Sequence, residues 1–212
     1  MIKDWNFWFS VVTAIVAIIA LAQTYRQTKL SNKQHLFDKR LDDYMIAKGL
    51  ITLYSDNRTL LEIERKDEPI FDISCEFVYL TNNSYMEKVA DVMKNPLKNP
   101  EHELFLSKRE ELRKIAIEIR LIFSGGEAVV LSDFVSCYEI ALQRMYQYQI
   151  LLNNMSEAEQ KNKMTLEQSQ NCFDEGQLRL QLLDAYDKLR QVYAIIEEEK
   201  IEEKIIKQIR LK

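Results

Sequence analysis

Residues 5–22, WNFWFSVVTAIVAIIALA, contain no charged side chain. At helical rise these 18 residues cover about 27 Å, close to the hydrocarbon thickness of a bilayer. The stretch therefore predicts one transmembrane helix. Trp5 and Trp8 at one end and Tyr25 at the other stand where amphipathic rings prefer the headgroup level. On the N-terminal side the basic residue is Lys3, with Asp4 beside it, whereas Arg26, Lys29, Lys33, Lys39 and Arg40 follow the span. The positive-inside bias then places the extreme N-terminus outside and the rest of the chain in the cytoplasm, at the inner membrane of a cell.

A cleavable signal peptide is the rival reading, because Ala20-Leu21-Ala22 matches a small-residue cleavage pattern. It ranks second: the segment before the apolar run is weakly charged and aromatic, and the basic residues directly after it act as a stop to transfer. Cys75, Cys137 and Cys172 are odd in number, far apart and in no CxxC arrangement, so the cysteines read as reduced thiols in a reducing compartment.

The formal net charge of −4 hides an asymmetry. Residues 1–50 carry 7 basic and 4 acidic groups, leaving 22 basic and 29 acidic groups for the remainder. A basic membrane-proximal part suits anionic headgroups, with Arg26, Lys29 and Lys33 as the candidate lipid contacts. An acidic distal part argues against nucleic acid as a partner, which needs basic surface where it lies.

The chain has 4 Gly and 3 Pro, far below average usage. Few breakers mean long helices, and those present act as punctuation near Pro69, between Asn95 and Pro100, and at Ser124-Gly125-Gly126. The expected fold is all-α: a transmembrane anchor over residues 1–25 that continues into a cytoplasmic helical bundle over residues 26–212, ending in a long C-terminal helix. From Ala22 to Tyr54 nothing but Gly49 opposes a helix, and Leu36, Phe37, Leu41, Tyr44, Met45, Ala47 and Ile51 supply an apolar face. Arg58 to Arg65 extends this helix in the same reading.

Residues 70–80, rich in β-branched and aromatic side chains, admit a strand, but Phe71, Ser74 or Cys75, Val78 and Tyr79 keep helical spacing and no partner strand is evident. A short amphipathic helix follows from Tyr85 to Met93. Pro100, followed by Glu101 and Glu103, opens a helix to Phe123 with Phe105, Leu112, Ile115, Ile119 and Ile122 on one face. Ser132-Asp133 reads as the start of the next, and Ser156-Glu157-Ala158-Glu159 as a capping box after it. The last block runs from Thr165, three residues before Gln168, to the C-terminus. Leu178, Leu182, Ala185, Leu189, Val192 and Ile196 alternate at three and four, as in a bundle or coiled coil, and Glu197 to Lys212 reads as a solvated or partner-bound end.

No cofactor, metal or catalytic signature emerges. A di-metal carboxylate site needs two Glu-x-x-His pairs, and neither His35 nor His102 has one; His102-Glu103 lacks the second zinc ligand, since position 106 is Leu106. Gly125-Gly126 has neither the spacing nor the lysine of a phosphate loop.

The densest run of interaction-capable side chains is Asn32 to Arg40, in which Gln34, His35, Asp38 and Arg40 are the candidate partner-binding residues. With the span before it, this run resembles the segment after the single N-terminal span in small bacterial membrane proteins of uncharacterised function. The resemblance covers residues 1–60 and implies the topology and a bacterial origin, without an activity.

On a helical wheel Ser10, Thr13, Ala14, Ala17, Ala20 and Thr24 fall in one arc of about 120°, with large aliphatics over most of the rest. Small residues so arranged let membrane helices approach closely, which predicts self-association into a homo-oligomer. Two functions follow as expectations. One is a membrane-anchored helical interaction module, a scaffold or regulator with an unidentified protein partner and no enzymatic activity. The other is an oligomeric membrane-perturbing effector, for instance in bacterial defence, with Ser10, Thr13 and Thr24 lining a helix cluster.

Overall fold

The computed structural model describes residues 2–61 and 68–209. Among them the protein is all-α, with no strand. Helix α1 (Ile2–Leu61) is followed by α2 (Ile73–Tyr79), a 3-10 helix (Glu87–Met93), α3 (Glu101–Ile122), α4 (Gly126–Asn162), α5 (Leu166–Phe173), α6 (Glu175–Glu198) and α7 (Ile201–Ile209).

The 60 residues of α1 make a rod about 90 Å long. It crosses the 25/26 position unbroken, and Gly49 does not interrupt it. Its apolar N-terminal window is wholly unburied, and this is the one helix among the described residues long and apolar enough to cross a membrane. Burial begins at Asp43 and Tyr44 and continues through Ala47, Leu50, Ile51 and Tyr54. The face that packs is narrower than the periodicity predicts: Leu41 and Met45 stay exposed. The expected extension from Arg58 to Arg65 is helical as far as Leu61, and residues 62–65 lie outside those described.

Helix α4 is the axis of the bundle. Its 37 residues contain no glycine or proline after Gly126, and Leu131, Phe134, Val135, Tyr138, Ala141, Leu142, Met145 and Tyr148 bury sides facing α3, α6 and α2. A helix apolar on most of its circumference belongs at the centre. Tyr54, Phe134 and Tyr193 tie α1, α4 and α6 by ring contacts of 5.0–6.4 Å. Tyr138 carries its hydroxyl into the core and donates to Leu80 O at 2.7 Å, so the group is buried without an unmet bond.

Ser124-Gly125-Gly126 is the turn between α3 and α4. Gly125 takes φ +83, a conformation costly for a side chain. Thr165 caps α5 as the spacing predicts: its hydroxyl accepts from Gln168 N, and the Gln168 side chain accepts from Thr165 N.

Several expectations are corrected. Ser132-Asp133 lies inside α4, where Ser132 Oγ donates to Ala116 O at 2.7 Å and accepts from Arg120 Nε at 3.0 Å, and Asp133 pairs with Arg120. These are bonds to α3, not a cap. Ser156 is also internal, because α4 runs on to Asn162 and ends only at Lys163, in the left-handed region. The region 70–93 is helical in two pieces, as expected, with the Asn83 side chain accepting from the amides of Tyr85 and Met86 where the chain turns; the second piece is a 3-10 helix that starts at Glu87 rather than Tyr85. In α2 the helical reading holds: Ile73, Glu76 and Phe77 are buried, whereas Cys75, Val78 and Tyr79, with Phe71 just before the helix, face outward. The single C-terminal helix is three, broken at Asp174 and at Lys200, both left-handed. Through Ile209 the end packs along one face: Ile201, Ile205 and Ile209 are buried and α7 lies on α1, α4 and α6, while residues 210–212 fall outside those described.

Burial raises the pKa of several tyrosines. Tyr138 and Tyr186 lie well above the ordinary value by desolvation, Tyr85 and Tyr148 are raised first by burial and then by neighbouring carboxylates, and Tyr44 is pushed up to about 12 by burial and Glu202. The folded chain thus keeps protons that the unfolded chain releases near pH 10, so stability falls as pH rises above about 10. In an alkaline titration, tyrosinate absorbance from these five groups is expected to rise together with loss of helical circular dichroism. Complete tyrosine ionisation in a chain still helical would contradict it.

Candidate functional site

The feature that distinguishes this fold is the junction where α1 leaves the exposed apolar rod and enters the bundle. Arg40 stands at that point. Its Nε donates to Ile122 O at 2.8 Å and its Nη1 to Gln208 O at 2.8 Å, while the guanidinium lies 5.7 Å from the centre of the Phe123 ring. Ile122 is the last residue of α3 and Gln208 belongs to the last turn of α7. One cation thus covers the negative ends of two helix dipoles.

Further along α1, Glu202 of α7 accepts from Tyr44 at 3.2 Å and pairs with Lys48 at 2.7 Å. Since Arg40 meets Gln208 and Tyr44 and Lys48 meet Glu202, α7 runs antiparallel to α1, back toward the apolar rod. On another side, Lys39 lies 3.0 Å from Asp43 and 2.8 Å from Glu118 of α3. Burial raises the Asp43 carboxyl, opposed by Lys39, and the bond to Glu118 raises Lys39. Gln208 completes the junction: its side-chain oxygen accepts from Ser124 N at 2.9 Å, and its amide nitrogen donates to Glu127 at 2.7 Å.

Between these elements lies an open groove of about 540 Å³, with Lys33, Leu36, Phe37 and Arg40 from α1 on one wall. Lys204, Lys207 and Ile209 of α7 form the other, and Ser124 and Glu127 close one end. The lining has four cations and one carboxylate over an apolar base.

The candidate residues fall into separate groups. Ser10, Thr13, Ala14, Ala17, Ala20 and Thr24 are all exposed on the rod, as are Arg26 and Lys29. Thr13 Oγ1 donates to Phe9 O at 2.8 Å and Thr24 Oγ1 to Ala20 O at 2.9 Å, so these hydroxyls are satisfied within their own helix. Gln34, His35 and Asp38 are exposed and do not line the groove, whereas Lys33 does. Arg40 is half-buried and bound to its own chain, which leaves it a structural tie.

The α7 half of the groove was not anticipated, although Ile201, Ile205 and Ile209 at four-residue steps carried the signal that this helix packs. No cluster of ligands able to hold a metal occurs among the described residues. His102 is used in packing: its Nδ1 lies 2.8 Å from the Tyr146 hydroxyl. Comparison with protein-family models, curated proteins and solved structures gives no match to this chain.

Proposed function

We propose that this chain is a single-pass membrane protein whose cytoplasmic helical bundle is an interaction module, a scaffold or regulator of a protein partner. The observation that carries the reading is in α1: an apolar window left wholly unburied belongs to the same continuous helix that supplies core residues to the bundle. A large exposed apolar surface in water is costly and marks an interaction or membrane surface. Because the helix is unbroken, displacement of the anchor is transmitted to α3 and α7 through Arg40, Lys39 and Tyr44.

The full chain is expected to stay in the membrane fraction at alkaline pH, and deletion of residues 1–25 to release the bundle. Cys75 and Cys172 are exposed thiols and serve as native reporters of orientation. An impermeant maleimide is expected to label them only after the cells are opened; labelling in intact cells would reverse the orientation. Purification of the full chain from solubilised membranes is expected to return one partner at near-stoichiometric yield, and recovery of the chain alone would count against the module.

The second reading, an oligomeric membrane-perturbing effector, draws on the exposed small-residue face of α1. The internal bonds of Thr13 and Thr24 favour close helix packing over a wet lumen. Ala17→Leu is expected to weaken self-association in bilayers several-fold, as read by energy transfer between labelled copies. Association equal to the parent would remove the face from consideration.

A further inference from the structure

We infer that the groove between α1 and α7 is a binding site for a phosphate-bearing anion. Three observations converge. Cations from two helices far apart in sequence, Lys33 on α1 and Lys204 and Lys207 on α7, line one concavity, with Arg40 held at its floor by two backbone carbonyls, and its only carboxylate among the described residues is Glu127. That carboxylate already accepts from Gln208 at 2.7 Å. The two helix C-termini beside the groove, which by themselves repel an anion, each have a carbonyl covered by Arg40.

The lysines are differently engaged. Lys204 lies 3.2 Å from Glu199 in an exposed pair, worth little in water, and Lys207 is exposed with no ion pair among the described residues. Gathering like charges costs energy by mutual repulsion, and a bound anion removes that cost. The apolar base of Leu36, Phe37 and Ile209 suits a ligand that is amphiphilic rather than a bare ion.

The anchor sets which source of phosphate is within reach; in this respect the inference rests on the membrane-anchored reading. Lys33 is eight residues beyond Tyr25, about 12 Å along the helix, and Arg40 about 22 Å. The headgroup layer outside the hydrocarbon is roughly 5–8 Å deep. With α1 upright, the Lys33 mouth comes within a lysine's length of lipid phosphates, whereas the floor at Arg40 is open to a soluble phosphate. Lipid headgroup and free phosphate share the chemistry, and experiment separates them.

The full chain in a neutral detergent is offered phosphatidylglycerol, phosphatidylcholine or inorganic pyrophosphate, with retention measured by native mass spectrometry. Lys204→Gln/Lys207→Gln is expected to reduce retention of the phosphate ligand about tenfold, with Lys204→Arg/Lys207→Arg retaining most of it. Lys161→Gln, about 50 Å along α4 from the groove, is expected to leave retention unchanged. Phosphatidylglycerol retained above phosphatidylcholine assigns the site to lipid, and pyrophosphate retained with the same lysine dependence assigns it to a soluble ligand; either supports the inference. Retention of neither above the phosphatidylcholine level, or equal retention by the parent and the glutamine double variant, overturns it. Failure of the anchoring reading shows separately, as release of the full chain from membranes at alkaline pH.

Discussion

Arg40→Ala is expected to destabilise the bundle by about 2–4 kcal/mol, from the loss of two charge-assisted bonds and the exposure of two helix ends to their own dipoles. For a body of this size that corresponds to a fall in Tm of roughly 5–15 °C, read by circular dichroism on the full chain in detergent. The bonds join α1 to Ile122 O and Gln208 O, so the loss falls where three elements meet. Arg40→Lys is expected to recover less than half, because a compact ammonium lacks the planar fork that spans two carbonyls 86 residues apart in sequence. Hydrogen exchange should show the consequence first in α7, whose nine residues are too few to hold a helix without tertiary contacts. A variant with parental Tm and parental α7 protection would remove Arg40 from any role in coupling the anchor to the bundle.

The same residue shows where reading a sequence succeeds and where it stops. Arg40 was recognisable as an interaction-capable cation next to a span, but whether it meets a partner or its own chain depends on Gln208, 168 positions away. Features set by near neighbours were legible: the long apolar helix at the start of α1, the glycine turn at Gly125, the box of Thr165 and Gln168, and the helix opened after Pro100. Ser132 and Ser156 misled because a cap residue type also sits within a helix, and for Ser132 the third element, the Ala116 carbonyl, is tertiary. The breaks at Asp174 and Lys200 carried no glycine to announce them, since both are non-glycine residues held at φ 51. At α2, two stripes one residue apart have the same period, and the buried one is settled by tertiary contacts: Ile73 and Phe77 enter the core and the Tyr186 hydroxyl donates to Glu76 at 2.7 Å. The groove was half visible for the same reason: Lys33 belongs to the span's own flank, whereas Lys204 and Lys207 arrive only when α7 folds back.

Glu175→Leu is expected to be the more damaging change, at about 3–5 kcal/mol, although it sits far from the junction. Glu175 is 1% exposed at the start of α6, accepts from the Tyr148 hydroxyl and lies 3.6 Å from Arg179 Nη2. Tyr148 in turn accepts from Ile70 N at 3.1 Å, fixing the entry to α2. Arg179 is itself buried, and its Nε and Nη1 have no hydrogen-bond partner among the described residues. Glu175 is therefore its compensating charge, and removing the carboxylate strands a cation in the interior. The double variant Glu175→Leu/Arg179→Met removes both charges and is expected to recover most of the loss, since a packed apolar pair of similar volume often matches a buried ion pair. Denaturant unfolding of the four chains in the cycle measures the coupling directly. Additive losses would mean that the two charges are screened by water, and that Tyr148, through Ile70, alone holds this end of the bundle.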